Sequence, residues 1–584
     1  MTIALGVSLL AAPAASAEVT LAWLPNGTDV EQLARDGMSP GLMSAGLGSV
    51  PAEQTDLDIT QGNRVFDSLY DSALPRLRVP LDRPVTDPAL LRRADSAPAE
   101  IAPGLLASTL ESAGKELGVR DASPPRLREL VDRLRGNDLL IAIERAPPAK
   151  NEALAIGIAG RGFDGNLTSD STRLDGYVLS TDVAPTVLQR LGIPIPEQMS
   201  GQPIRAEGEV DAAAVVALGD RMAVISERRG PVIGLSLLAW VVALGLAIAV
   251  TKGRAGRSGA RVAGLGVVYL PLALLVGAAV EPGETAEMLM VMLGAPLLAA
   301  LTLALLGGYR ALAVASGLTV LAYAVDVIVG SPLTALSLLG PNPGLGVRFY
   351  GIGNELEALL AVLIVAGTGA GLTGFAPRLS PRRCATAFLT IGVFAAFVFA
   401  AGRFGADVGA AIVFPVGAAV AAALIAARQR RSALLIVALP FAVLALLALV
   451  DLVSGANAHL TRSVLDAGGL GDLGDVAQRR LQLSAHSFSR PIVFVFLPLI
   501  LALAALAVAR RDRLQAWLDG RPAMRAGLLG AVAATIVGTL ANDSGALLLE
   551  IGAAYLLVFT GFAWAEASEP TSAQTRSYTS VSHT

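Results

Sequence analysis

The feature that most constrains this chain is a series of long apolar segments that begins at Val232. A helix of about 20 apolar residues covers the hydrocarbon core of a bilayer, and each of these segments approaches or exceeds that length. The sequence predicts eleven spans, and only the short stretch Asn542–Gly545 separates the last two. The predicted spans are 232–251, 262–281, 286–307, 310–330, 356–375, 384–402, 405–427, 433–454, 491–509, 525–541 and 546–564. An all-α transmembrane bundle over 231–566 is therefore expected.

Composition excludes several classes of protein. The chain is 53% hydrophobic and only 16% charged, which rules out a purely soluble protein. A net charge of −3 gives no reason to expect nucleic acid as a partner. The single cysteine, Cys384, excludes an internal disulfide and a cysteine-based metal site. With only 3 histidines as well, we predict no metal and no cofactor.

The charges between the spans predict the orientation of the bundle. If the part before Val232 lies outside, arginine and lysine concentrate in the loops that face the cytoplasm, as the positive-inside rule requires. Residues 1–17 end in Ala15-Ser16-Ala17 and fit a secretory signal peptide, although a basic start is missing. If residues 1–17 are instead an uncleaved membrane anchor, the domain that follows them still lies on the same, outer side of the membrane. The polar tail, residues 567–584, is then cytoplasmic and disordered.

Residues 18–230 have the pattern of an extracytoplasmic α/β domain. Apolar runs at 19–23, 139–143 and 153–158 predict strands, and helical patterns at 105–117 and 125–134 alternate with them. This alternation is typical of a mostly parallel sheet. A further strand at 176–179 is followed by a helix with its N-cap among residues 180–182, and Gly192 ends that helix.

The stretch 167–204 resembles the C-terminal part of the alkaline phosphatase superfamily, which includes sulfatases and phosphodiesterases. The resemblance rests on Thr181-Asp-Val-Ala-Pro-Thr186 followed by Leu191-Gly-Ile-Pro194. Those enzymes bind two metal ions through Asp and His ligands. Here the first strand ends without a carboxylate and residues 18–230 contain no histidine. The resemblance therefore implies a truncated, inactive relative. Thr60, Asn63 and Arg64 could be the lip of a remnant pocket, although a polar turn explains them as well.

Unusual polar residues of the membrane part fall in four segments that the predicted topology places at the outer face. Burying an ionisable group at membrane depth costs free energy, so such a group indicates a functional site. Glycines near it permit the helices to be broken there. Arginines would suit phosphate or carboxylate, and carboxylates would suit a base or a cation. The alternative is structural pairing, for example between neighbours on one helix end. The candidate pocket residues are Arg348, Asn354, Glu355, Arg403, Asp407, His459, Asn542 and Asp543.

The motifs RFYGIGNE (348–355) and LANDSG (540–545) resemble segments of uncharacterised bacterial polytopic membrane proteins in which an alkaline-phosphatase-like domain precedes the spans. The resemblance implies a multi-pass protein of the bacterial cytoplasmic membrane and cell envelope. The resemblance implies no particular activity, whereas the outer arginines and carboxylates favour a protein that handles a lipid-linked anionic envelope precursor. A non-catalytic assembly or sensing protein and a cation-coupled secondary transporter are the alternatives. The residues leave open whether the protein is an enzyme.

Overall fold

The computed structural model describes residues 17–45, 52–64, 81–88, 91–92, 102–145, 153–251, 255–426, 429–453, 482, 484–491 and 493–567. Within them the chain divides into two compact units. The first comprises Met1–Val224 and Asn342–Phe349, and the second comprises Ile225–Pro341 and Tyr350–Thr584. The predicted signal peptide, apart from residue 17, and the polar tail, apart from residue 567, lie outside the described residues.

The first unit is an α/β domain built on a mixed six-stranded sheet. Its strands are β1 (Val19–Leu24), β2 (Ser39–Ser44), β3 (Leu117–Asp121), β4 (Leu139–Glu144), β5 (Ala153–Gly160) and β7 (Tyr177–Leu179). Their order across the sheet is β3-β1-β4-β5-β2-β7. A second, two-stranded sheet pairs β6 (Asn166–Thr168) with β8 (Arg205–Glu207). The helices are α1 (Val30–Arg35), α2 (Ala52–Gln61), α3 (Leu105–Ser112), α4 (Pro124–Arg133) and α5 (Val183–Leu191).

The sheet is less parallel than the sequence predicts. Strand β5 runs antiparallel to both of its neighbours, β4 and β2. The connection from Glu144 to Ala153 is too short for the helical crossover that a parallel neighbour needs. Strand β2 is also absent from the sequence prediction, because Pro40 and Gly41 read as turn residues. Every residue of that strand is nevertheless buried.

The phosphatase-like stretch folds as its pattern predicts. Strand β7 leads through one 3₁₀ turn, Ser180–Asp182, into α5. Asp182 is the N-cap residue of α5, and Gly192 ends the helix with a left-handed φ of 70°. That conformation carries no penalty for glycine, which has no Cβ. The two predictions about the ends of this helix are therefore confirmed, while the likeness to the phosphatase superfamily stays a prediction.

The second unit is a multi-pass helical bundle. Its long helices are α6 (Ala212–Val250, which begins in the first unit), α7 (Gly256–Val280), α8 (Glu284–Leu306), α9 (Gly308–Ile328), α11 (Asn354–Phe375), α12 (Pro381–Ala400), α13 (Ala410–Ala426), α14 (Gln429–Val453), α15 (Val493–Ala509), α17 (Pro522–Ala541) and α18 (Gly545–Glu566). Among the described elements of this unit, the short helices α10 (Pro332–Leu336) and α16 (Arg511–Trp517) lie between the long ones.

Eight of the described helices are long and apolar enough to cross a membrane, or nine if the bent pair α15 and α16 forms one span. Each predicted span coincides with a helix, and Asn542 separates α17 from α18 as predicted. At the predicted spans 405–427 and 433–454, the described apolar helices are the shorter stretches Ala410–Ala426 and Ile436–Val450, so the total of eleven is not confirmed. Helix α11 is the most buried of the eight, with 72% of its apolar window inside the protein.

Small residues allow the central helices to approach closely. A Cβ on Gly527 of α17 would lie 3.0 Å from the carbonyl oxygen of Val365 in α11. A Cβ on Gly417 of α13 would lie 2.9 Å from the Cβ of Ala534 in α17. Helix association in a bilayer depends on such close van der Waals packing, because hydrocarbon surroundings supply no hydrophobic driving force. Helices α11, α13 and α17 thus form a tight core whose ends carry the polar segments.

Candidate functional site

A polar cluster lies in the second unit where α11 and α18 begin and α17 ends. Its centre is Glu357, whose side chain is completely buried. The Nδ2 of Asn542 donates to Glu357 Oε2 at 2.7 Å and to Asn354 Oδ1 at 3.2 Å. Asn354 in turn donates to Asp543 Oδ1 at 3.3 Å. We call these four residues the Glu357 cluster. It joins two sequence segments that are almost 190 residues apart.

The start of α13 closes the cluster from a third side. A Cβ on Gly409 would lie 2.6 Å from both carboxylate oxygens of Glu357, so only glycine fits there without a shift. The backbone N–H of Gly409 donates to Oδ1 of Asp407 at 3.0 Å. Asp407 is itself buried. The Asp407 side chain therefore fixes the turn that carries Gly409 onto Glu357.

Backbone contacts hold this turn against the segment that precedes α11. The N–H of Ile352 donates to the carbonyl oxygen of Gly405 at 3.0 Å. The N–H of Gly351 donates to Ser331 Oγ at 2.9 Å. Gly351 has a φ of 76°, and a side chain there would collide with Gly405. The RFYGIGNE and GRFGADVG segments are consequently joined through their backbones as well as through Glu357.

Part of a further polar segment reaches the junction of α17 and α18. Ser484 Oγ donates to the carbonyl oxygen of Thr539 at 2.7 Å, and Ser487 Oγ accepts from the N–H of Ala546 at 3.0 Å. His459 belongs to the same long loop and lies outside the described residues. The structure thus joins three predicted polar segments and the end of the fourth.

The other predicted membrane-pocket residues take different places. Glu355 faces Arg229, with Oε1 3.6 Å from Nη1, and Arg229 also donates to the carbonyl oxygen of Gly340 at 2.7 Å. The side chain of Arg403 is exposed. Arg348 belongs to the first unit. Of the predicted set, Asn354, Asn542 and Asp543 belong to the Glu357 cluster, and Asp407 supports it from the turn before α13.

The candidate pocket predicted from the sequence does not include Glu357. A usable signal was present, because Glu357 follows Asn354 by three residues and such residues share a helix face. Glu355, which belongs to the predicted pocket, lies on another face and pairs with Arg229. A buried carboxylate beside two amides can accept hydrogen bonds from hydroxyl groups, attract a cation or take up a proton.

The candidate residues of the first unit contact other parts of the same unit. Arg64 Nη1 donates to the carbonyl oxygen of Gly346 at 2.8 Å, and Nη2 donates to Ser44 Oγ at 2.9 Å. The guanidinium carbon of Arg64 lies 5.4 Å from the centre of the Phe349 ring. Burial lowers the pKa of Arg64, and the charge of nearby Asp58 acts in the opposite direction.

Tyr177 holds the same 342–349 segment. Its hydroxyl donates to the carbonyl oxygen of Pro343 at 3.2 Å, and its ring lies 6.2 Å from that of Phe349. Burial raises the pKa of Tyr177 to about 12, although Ser44 and Arg64 oppose the shift. The hydroxyl is therefore protonated at neutral pH and remains a donor.

Thr60 and Asn63 also have partners within the first unit. Thr60 is buried and its hydroxyl donates to the carbonyl oxygen of Leu57 at 2.8 Å. Asn63 accepts from Ser200 Oγ at 2.8 Å and donates to the carbonyl oxygen of Gln198 at 3.3 Å. The side chains of Thr60 and Asn63, which were predicted to form the lip of a pocket, thus make hydrogen bonds within the first unit.

The chain matches no protein-family model, no curated protein and no solved structure. Within the described part of the chain, no group of three or more His, Cys, Asp or Glu side chains is arranged to hold a metal ion.

Proposed function

We propose that this is a cell-envelope membrane protein whose helical unit binds a lipid-linked anionic precursor, with the Glu357 cluster as the contact for the polar end of that molecule. The proposal places the first unit outside the bacterial cytoplasmic membrane and the C-terminus inside, in accordance with the charge distribution of the loops.

The observation that carries the proposal is the burial of Glu357 at the end of a membrane helix. Burying a carboxylate in such surroundings costs free energy, and proteins retain one there mainly for function. Asn542 donates a hydrogen bond of 2.7 Å to one oxygen of Glu357, and the backbone of Gly409 packs closely against both oxygens. Amide donors and carboxylate acceptors together suit a hydroxyl-bearing head group.

We further propose that the first unit is a catalytically inactive phosphatase-like domain. It has no histidine for a two-metal site of the superfamily type. Its only basic candidate in the predicted pocket, Arg64, donates to the 342–349 segment. A binding or sensing role agrees with these contacts better than hydrolysis does.

Cation-coupled transport is a second candidate, and the same carboxylate favours it. A buried Glu357 that takes up and releases a proton could couple a gradient to movement of a substrate, as in other transporters with polar sites at broken helices. Glu357→Gln would then abolish gradient-dependent uptake while leaving the bound lipids unchanged.

The decisive experiment compares lipids that co-purify with the wild type and with Glu357→Gln. Mass spectrometry of the gently solubilised wild type should detect a phosphate-bearing lipid-linked molecule that the variant has lost. Glu284→Gln is the matched control, because Glu284 also lies in the first turn of a membrane helix but is exposed.

Both variants must elute as folded protein at the wild-type position in size-exclusion chromatography. Identical co-purifying lipids in wild type and Glu357→Gln would overturn the proposal. Loss of the molecule from Glu284→Gln as well would equally contradict a specific role of Glu357.

A further inference from the structure

The ends of α11, α13 and α17 opposite the Glu357 cluster surround a cavity of about 1050 Å³. Leu372 of α11, Leu424 of α13 and Arg525 of α17 line it, and we call it the Arg525 cavity. Leu372 follows Glu357 by 15 residues in α11, so the cavity lies about 22 Å along the helix from Glu357, at a rise of about 1.5 Å per residue.

Two arginines and two aspartates line this cavity, and one of the aspartates, Asp512, lies 4.0 Å from Arg511. Arg521 donates to the carbonyl oxygens of Trp517 and Glu566, both at 2.9 Å, and so ties the wall together. Asp519 accepts from the N–H of Gly520 at 3.0 Å and so stabilises its own turn. Arg525 lies one turn after Arg521 and is exposed at the cavity. A planar guanidinium in such a position suits a phosphate group.

A separate apolar groove of about 450 Å³ runs between α9, α11 and α12. Gly317, Gly367 and Gly371 contribute to its lining, and we call it the Gly317 groove. Its hydroxyl groups are already used, because Ser316 and Thr368 donate to carbonyl oxygens four residues earlier in their own helices. The groove lies within membrane-spanning helices and offers surfaces for hydrocarbon, so an alkyl chain is the occupant that matches its chemistry.

The groove and the cavity are neighbours, because Leu372 lines both. An apolar groove next to a larger, partly polar space with an exposed arginine suits an amphiphile, whose chain and head group need these two kinds of surroundings. We infer that this end of the bundle binds an anionic membrane lipid, with its chain in the Gly317 groove and its phosphate head group at Arg525. The inference rests on the proposed function for the substrate class, and it adds a loading site at the opposite end of the bundle.

The groove can be filled without disturbing the protein. A Cβ on Gly317 would have no heavy atom within 4 Å, so Gly317→Phe places its ring in the groove rather than in the core. Gly294 of α8 is a matched control, because it is a membrane-helix glycine with the same open surroundings and does not line the groove. For the head group, Arg525→Gln is compared with Arg513→Gln on α16.

The probe is phosphatidylglycerol with a diazirine in one acyl chain, in phosphatidylcholine nanodiscs that hold the full-length protein. Phosphatidylcholine with the same labelled chain is the zwitterionic comparison. Cross-links should map to 313–324 and 363–375 and favour phosphatidylglycerol. Gly317→Phe should lower them about tenfold, the loss expected for expelling about two methylene groups, and Gly294→Phe should not. Arg525→Gln should remove the preference for phosphatidylglycerol, and Arg513→Gln should keep it.

Equal labelling of Gly317→Phe and Gly294→Phe would overturn the assigned groove. Equal labelling by the two lipids in the wild type would overturn the assigned head-group site. Glu357→Gln should leave the cross-links unchanged, since the cluster lies at the other helix ends. Labelling sensitive to Gly317→Phe, together with co-purified lipid insensitive to Glu357→Gln, would support the lipid site and refute the proposed function.

Discussion

Replacement of Arg64 by alanine should release the 342–349 segment from its contacts within the first unit. Arg64 contacts this segment through both a charged hydrogen bond and a cation–π contact. The hydrogen bond to the carbonyl oxygen of Gly346 is 2.8 Å long, and the guanidinium lies over Phe349 at 5.4 Å. Tyr177 makes a longer and uncharged hydrogen bond to Pro343, at 3.2 Å.

These contacts give the free energy that Arg64 contributes to holding the 342–349 segment in place. A hydrogen bond from a charged donor contributes about 1.5–3 kcal/mol, and a partly desolvated cation–π contact contributes about 1–2 kcal/mol. The cost of burying the guanidinium, which also lowers the pKa of Arg64, offsets part of this gain. We expect a net loss of about 2 kcal/mol, or about 30-fold in the equilibrium between held and released segment. Tyr177→Phe should cost about 1 kcal/mol, or about fivefold.

Hydrogen exchange measured by mass spectrometry on peptides that cover 342–349 tests this expectation. The N–H groups of Leu345 and Gly346 bond to carbonyl oxygens within the segment, at 3.0 and 2.9 Å, and they report whether its turn persists. Arg190→Ala is the matched control, because Arg190 also donates to a carbonyl oxygen and lies over a ring, that of Phe163.

Two results would refute the reasoning. Unchanged protection of the 342–349 peptides in Arg64→Ala would mean that the Arg64 contacts do not hold the segment. A larger effect of Tyr177→Phe than of Arg64→Ala would mean that the charged contact is the weaker one. A general loss of protection across the sheet, shared by Arg190→Ala, would indicate unfolding of the domain instead.

Three further expectations concern stability. Gly409→Ala should cost about 1–3 kcal/mol by overpacking, since its Cβ would lie 2.6 Å from the buried carboxylate of the cluster, and a melting temperature equal to that of Gly317→Ala would contradict this. Glu287→Ala should lower the free energy of unfolding by about 3–5 kcal/mol, because it leaves Arg228, 3.2 Å away, without this buried partner. Thermal unfolding of the double variant with Arg228→Met should show that most of this stability is recovered. Burial raises the pKa of Asp182 in the folded protein. The contribution of this carboxyl to stability is therefore complete below its pKa in the unfolded chain and is lost as the pH rises through its pKa in the folded protein. A difference in unfolding free energy between wild type and Asp182→Asn that does not change with pH would refute this expectation.

The helices were largely predictable because their signal is local. Long apolar runs specify membrane helices through length and hydropathy alone, and eight of the described helices, or nine with the bent pair α15 and α16, are long and apolar enough to cross a membrane. The α5 boundaries were predictable for the same reason, since Asp182 and Gly192 act on the turns beside them. Strand β2 was not predictable, because Pro40 and Gly41 indicate a turn and only the neighbouring strands β5 and β7 stabilise an extended conformation there.

The sequence by itself thus determined that the chain has an α/β domain and a membrane bundle, and that polar residues collect at helix ends. The tertiary structure decided which of those residues meet. It selected Glu357 rather than Glu355, because the rotation of α11 directs the first toward Asn542 and the second toward Arg229. It also brought Gly346 to Arg64, 282 positions away along the chain. Such pairings depend on the packing of distant segments, which no local pattern of hydropathy or turn residues encodes.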